Sequence, residues 1–287
     1  MLNSRGEMIM GAKCTVFAHK HIYMFSIILT ALTMEAKLIL TKVLILEGEQ
    51  PETLIYGVAE IITLLIPTLL ICIAAILISM KDKLVPSKTN FGQGLLLGLP
   101  MILIGVYAGI NSIVDIGITE LSNPGALKII TFVISTLFIG IQEEFLCRGV
   151  LLNLMMEKWG RTRKGMIKSV FLSSVIFGLL HLAILVVYPG LVISATAQVL
   201  YASFVGVYFA CIYIRCKNLY SVVLLHAFFD ACVLLINILY LPAALEVIRP
   251  TESTLADGLG SVVIWFPFVF IGLFLIRKKK MSVEHTE

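Results

Sequence analysis

Three pairs of residues, each four apart, stand inside long apolar stretches of this 287-residue chain: Glu144/Arg148, Phe177/His181 and His226/Asp230, with Glu143 directly before the first. Four residues is about one helical turn, so the members of each pair share a helix face. Placing Asp, Lys or Arg in hydrocarbon costs roughly 2.5–3.5 kcal/mol apiece on insertion scales, and such groups offset that cost by facing one another. Ionisable residues inside a membrane segment mark a functional site by default. The residue types suggest the chemistry. Hydrolysis of a peptide bond by water needs a base to take the water proton and donors to hold the oxyanion. A carboxylate kept from bulk water is a stronger base than one in solution, so Glu143 with His181 can activate water. His226 and Asp230 can hold the carbonyl oxygen, provided that Asp230 carries a proton or bridges through water. Arg148 can neutralise Glu144 one turn away, and Phe177 reads as a packing residue beside His181. Two histidines with one or two carboxylates also make a zinc shell. On residue types alone both chemistries stay open.

The elements that must position these groups are membrane helices. The chain is 59% hydrophobic and 14% charged, with a mean hydropathy of +0.99, against about 25% charged residues in a soluble domain. The expected fold is all-α and polytopic. Eight apolar segments are long enough to span a bilayer, near 22–46, 53–80, 91–114, 125–156, 168–187, 190–214, 219–241 and 258–276. The fourth is overlong and should tilt or run past the membrane. The turn Tyr188-Pro189-Gly190 alone separates the fifth from the sixth. The stretch after Arg5, Lys13 and Lys20 carries no small-residue cleavage site and reads as a retained anchor. Three parts follow: helices one to three over 1–124, a core over 125–241, and a last helix with a basic tail over 242–287. The net charge of +4 is scattered over short loops, so no nucleic-acid partner is expected. The six cysteines (14, 72, 147, 211, 216, 232) have no CxxC spacing and read as small apolar side chains.

Loop charge sets an orientation. Seventeen Lys and Arg fall in the N-terminal tail, 81–88, 158–168, 215–217 and 277–280; the other side holds two, Lys128 and Arg249. That other side also carries Glu47, Glu49, Glu52, Asp115, Glu120, Glu246, Glu252 and Asp257. The bias is positive-inside and puts both termini in the cytoplasm. With that orientation His181 lies about thirteen residues into the fifth segment and His226 seven into the seventh. At 1.5 Å per residue these groups meet Glu143 and Glu144 between mid-membrane and the cytoplasmic face.

In order and spacing, Glu143-Glu144-Phe145-Leu146-Cys147-Arg148, Phe177 to His181 and His226 to Asp230 match the EExxxR, FxxxH and HxxxN/D motifs. They resemble the CAAX protease and bacteriocin-processing (CPBP, or Abi) family, which includes the type II CAAX prenyl endopeptidases. The resemblance covers about residues 125–241 and implies a glutamate-dependent intramembrane endopeptidase. On that resemblance Glu143 and His181 activate water, and His226 with Asp230 forms the oxyanion hole. Glu144, Arg148 and Phe177 support them. The prenyl endopeptidases usually carry Asn at the place of Asp230, and an amide donates a hydrogen bond without needing a proton. No cofactor is expected; zinc is the alternative, since family members have often been described as metalloproteases. The partners implied are the lipid bilayer and a peptide in or at the membrane, either CAAX-type prenylated or leader- or bacteriocin-like. Short loops suit a prokaryotic plasma membrane.

Readings from other classes are a transporter with a buried carboxylate relay, disfavoured by the lack of an internal repeat, and an idle scaffold, disfavoured by the insertion cost of the polar set. Other intramembrane polar residues carry no motif. Glu35 and Lys37 read as an interfacial or cavity-facing pair, Lys42 and Glu60 lie nearby, and Gln198 reaches a cavity or bonds between helices. Ala202, Gly206 and Ala210 suggest a close helix contact, and Pro67, Pro100 and Pro267 fall where kinks are tolerated. The orientation is tested by cysteine labelling: probes at positions 49 and 83 should react from opposite sides of sealed vesicles, and reaction from one side would overturn it.

Overall fold

The computed structural model describes residues 4–44, 54–116, 121, 124–239 and 252–277. Its helices are α1 (Ser4–Lys20), α2 (Ile22–Leu44), α3 (Leu54–Leu77), α4 (Phe91–Leu97), α5 (Leu99–Ile116), α6 (Gly125–Glu144), α7 (Asn153–Trp159), α8 (Arg163–Leu180), α9 (Ile184–Val187), α10 (Val192–Cys216), α11 (Leu219–Leu234), α12 (Ile236–Leu239), α13 (Leu255–Trp265) and α14 (Pro267–Leu275). The fold is an all-α polytopic membrane protein. Glu47, Glu49, Glu52, Glu120, Glu246, Arg249 and Lys278–Lys280, which carry part of the loop-charge argument, lie outside the described residues.

All eight apolar segments are helical, but they are not equivalent. Among the described residues five stretches are long and apolar enough to cross a membrane: Val58–Leu77, Gly125–Trp159, Arg163–Val187, Val192–Cys216 and Leu255–Leu275. A sixth forms if α4 and α5, bent by 57° at their junction, are taken together. The bend falls at Gly98, beside Pro100 in the first turn of α5, where a missing amide hydrogen breaks no intrahelical bond. Of the remaining two, α11 is 16 residues long, about 24 Å at helical rise and short of the hydrocarbon thickness. The other, α2, contains Glu35, Lys37 and Lys42. Apolar side chains stand outward on the flanks, among them Ile27, Ile76, Leu103 and Val263, each at least 59% exposed. Such a belt on a folded chain is the surface that lipid covers.

At the centre stands α10, buried from Val205 to Ile214, as befits a helix apolar all round. Neighbouring helices reach it through small residues. A methyl group added at Gly206 would lie 3.0 Å from Ser174 Cβ and 3.2 Å from Phe177 Cδ1, so the expected close contact of the small-residue stripe is with α8. Gly140 does the same between α6 and α11: a methyl there would sit 2.8 Å from the carbonyl oxygen of Val223. These two approaches bring α6, α8, α10 and α11 together at the level of the motifs.

Side-chain caps fix where the helices begin. Thr162 accepts from Gly165 N at the start of α8, and Asn218 accepts from Ser221 N at the start of α11, each satisfying an orphan donor. The fully buried Asn218 also donates to the carbonyls of Ser87 (2.6 Å) and Thr89 (2.9 Å). Asn90 Nδ2 returns a bond to Cys216 O at 3.3 Å, so the 81–90 loop and the 217–218 turn lie at one end. There is a second such tie between basic loops. His19 Nε2 lies 3.2 Å from Glu157 Oε2, and Lys168 sits over the Trp159 ring at 4.0 Å, joining the end of α1 to the 158–168 loop. The helix α1 itself was not anticipated from the sequence, where its stretch reads as a charged tail.

Candidate active site

Gly125 to Trp159 is one continuous helix, but its geometry changes inside the first motif. It is α-helical to Glu144, π-helical over Phe145–Leu152, and α-helical again from Asn153. A π segment is rare and is found mostly at functional sites. It changes the pattern of carbonyl partners, and Asn153 supplies one: its Nδ2 donates to Arg148 O (2.7 Å) and Gly149 O (3.0 Å), and lies 2.8 Å from the Tyr213 hydroxyl. Sequence reasoning missed Asn153. A lone amide five residues beyond Arg148 in an apolar stretch was the available signal.

Glu143 and Glu144 are adjacent, so their side chains diverge by about 100° around the helix. Glu144 points into the bundle and is fully buried; its Oε1 accepts from Arg148 Nη1 at 2.8 Å and lies 2.9 Å from His226 Nδ1. Arg148, 1% exposed, donates from Nη2 to the carbonyl of Gly206 at 3.0 Å. Its guanidinium lies 4.5 Å from the centroid of the Phe177 ring, a cation–π geometry. One carboxylate and one guanidinium thereby join α6, α10 and α11, with α8 stacked against them through Phe177. Breaking a buried pair leaves an uncompensated charge, so the pair acts as an internal brace.

Glu143 turns the other way, into a cleft of about 290 Å³ lined by residues that include Lys37, Gln142, His181 and Gln198. Its Oε2 makes no hydrogen bond. His181 closes α8: the helix tightens to a 3₁₀ turn over His181–Ala183, and Nδ1 lies 3.2 Å from Phe177 O and 3.3 Å from Gly178 O. Beside carbonyl acceptors Nδ1 must carry the proton, which leaves Nε2 as a lone-pair nitrogen. His226 is held the same way. Its Nδ1 donates to Glu144, while Nε2 lies 3.8 Å from Glu143 Oε2 and 3.5 Å from Asp230 Oδ2. Phe177 meets both imidazoles edge to face, at centroid distances of 5.5 Å to His181 and 5.6 Å to His226. Phe209, not anticipated, covers His226 from α10 at 5.8 Å.

All seven motif residues therefore converge. Gln198 lines the cleft rather than serving only as an interhelical bond, and Lys37 lines it while its expected companion Glu35 is exposed elsewhere on α2. For zinc the fit is poor. Among the described residues no group of three or more His, Cys, Asp or Glu side chains is placed to hold a metal ion. Glu144 and the Nδ1 of His226 are turned toward each other.

Against known families, residues 125–232 match the family described as Type II CAAX prenyl endopeptidase Rce1-like. That stretch is an Rce1-like domain. The matched stretch begins with the first residue of α6 and ends two residues past Asp230, so all three motifs fall inside it. No curated protein and no solved structure matches the chain. The family is one of peptidases, and the domain is a CAAX-type membrane peptidase in that general sense.

The brace carries a stability prediction. Arg148→Ala strands Glu144 in the bundle and should cost about 3–5 kcal/mol, the range for a broken buried pair, seen as a large fall in the melting midpoint of detergent-purified protein. Arg148→Lys should recover little, because one ammonium cannot span Glu144 and Gly206 O while stacking on Phe177.

Proposed function

We propose that the chain is an intramembrane endopeptidase that hydrolyses a peptide bond of a membrane-associated substrate with water activated by Glu143. The observation that carries this is the divergence of the two glutamates. Glu144 is committed through Oε1 to Arg148 and His226, whereas Glu143 lies on the cleft with no hydrogen bond to its Oε2, which stands 3.8 Å from His226 Nε2. A general base must be free to reach the proton it takes.

In the proposed reaction water binds in the cleft between Glu143 and the unprotonated Nε2 of His181. Glu143 takes a proton as the oxygen attacks the carbonyl carbon, and the developing oxyanion is held by hydrogen bonds. His226 is the donor, with a proton on Nε2 in addition to the Nδ1 proton given to Glu144. The tetrahedral intermediate then collapses, the C–N bond breaks, and Glu143 returns its proton to the leaving amine. Asp230 acts on His226 by attraction: its Oδ2, 3.5 Å from Nε2, favours the charged ring and leaves the single Nε2 proton for the oxyanion. That role uses the carboxylate of Asp230 as it stands and does not require it to donate.

The substrate proposed is a CAAX-type prenylated peptide or a leader- or bacteriocin-like peptide, and the proposed site lies in the cytoplasmic half of a plasma membrane with both termini cytoplasmic. Support for the orientation is that the basic 81–90 loop and 217–218 turn meet at one end.

Purified Glu143→Gln protein should lose about 10²–10⁴-fold in hydrolysis, the contribution of a general base, and cleavage near the wild-type rate would refute the assignment. Asp230→Asn should keep much of the activity, since the amide keeps the shape and donates a hydrogen bond without needing a proton, and prolonged chelation should change little. An inactive Asp230→Asn protein together with stoichiometric zinc in active wild type would establish the metal mechanism instead.

A further inference from the structure

The cleft has one wall that the motifs do not supply. Thr33, Lys37 and Thr41 recur every four residues on α2, and all three line the cleft opposite Glu143 and His181, with Met34 and Leu38 between them. A polar stripe on an otherwise apolar helix faces whatever needs it. The two threonine hydroxyls are committed within the helix, Thr33 to Leu29 O (3.0 Å) and Thr41 to Lys37 O (2.8 Å). Lys37 is not committed. Among the described residues no carboxylate comes within ion-pair distance of its ammonium, though its charge interacts electrostatically with Glu60, Glu143 and Asp230. Lys37 is half-buried on the cleft wall, and a cation drawn partly out of water gains from an anionic partner. Its missing partner is then an anion that enters the cleft. At about 290 Å³ the cleft is at the lower limit of ligand pockets, so that anion arrives on a short extended segment.

We propose that Lys37 is a specificity-determining residue that binds a carboxylate of the peptide substrate and so fixes which bond lies over Glu143. The proposal rests on the endopeptidase reading and deepens it. A carboxylate can come from the substrate's free C-terminus or from an acidic side chain near it, and the chemistry at Lys37 is the same for both.

The test uses the full chain in detergent and one internally quenched farnesylated CAAX peptide in three forms: the free acid, the C-terminal amide, and the amide with Glu as its last residue. Wild type should show a KM about tenfold or more lower for the free acid than for the plain amide, the size expected for one hydrogen bond between charged groups. Lys37→Gln should lose that preference by raising KM for the acid, and Lys37→Arg should keep it. If the Glu-terminated amide binds like the acid, Lys37 takes either carboxylate; if it binds like the plain amide, only the terminus is read; if it alone binds tightly, only a side chain is read. The comparison of acid with amide on wild type needs no variant and so does not depend on folding of Lys37→Gln. Equal KM for all three peptides, or a preference that survives Lys37→Gln, overturns the proposal while leaving the endopeptidase intact. Cleavage of none of the three peptides overturns the CAAX-type reading and the proposal with it.

Discussion

Glu144 is the fully buried carboxylate on which the remainder of the site rests. In a bilayer its charge has no water to turn to, and burial without partners would be prohibitive. Arg148 one turn on and His226 from another helix satisfy Oε1, and Arg148 is itself completed by the Gly206 carbonyl and the Phe177 ring. None of these contacts can be removed without stranding a charged or polar group, so the four helices are held in one register. The close approaches at Gly140 and Gly206 make that register possible, because a larger residue at either place would part the helices that the ion pair joins.

The neighbouring residue has the opposite character. Helical geometry alone turns Glu143 about 100° away from Glu144, out of the brace and onto the cleft. Two chemically identical side chains thus take different places from a difference of one position, one inside the brace and one on the cleft where the proposed base must stand. The π segment that follows carries Arg148, and Asn153 donates to two of its carbonyls. The histidines are similarly disciplined: each has Nδ1 tied to an acceptor and presents Nε2, so the faces that meet a substrate are chosen by contacts behind them.

Much of this was legible in the sequence because polar residues in apolar helices have few places to go. The four-residue spacings of Glu144/Arg148 and His226/Asp230 announced shared faces, and the length of the segment from Gly125 announced a helix that overruns the membrane. Tyr188-Pro189-Gly190 marked a break that the structure keeps between α9 and α10. Other features depend on tertiary packing and could not be read locally. Spacing says that Glu144 can reach Arg148, but not that His226 takes the same oxygen. An α-helical period cannot foretell a π segment, and the bend of 57° between α4 and α5 needs more than the presence of Pro100. The Thr33, Lys37, Thr41 stripe was visible as a pattern, yet only the packing of α2 over the cleft gives it a meaning.

The central claim is this division of labour between adjacent glutamates, and it is tested most directly by comparing the thermal melting midpoints of Glu143→Gln and Glu144→Gln in the same detergent. Removing the charge of Glu143 breaks no hydrogen bond of Oε2 and loses only its 3.8 Å attraction to His226, so its melting midpoint should stay close to that of wild type. Removing the charge of Glu144 leaves Arg148 unpaired, so that midpoint should fall by many degrees. A stable Glu144→Gln protein beside an unstable Glu143→Gln protein would contradict the account.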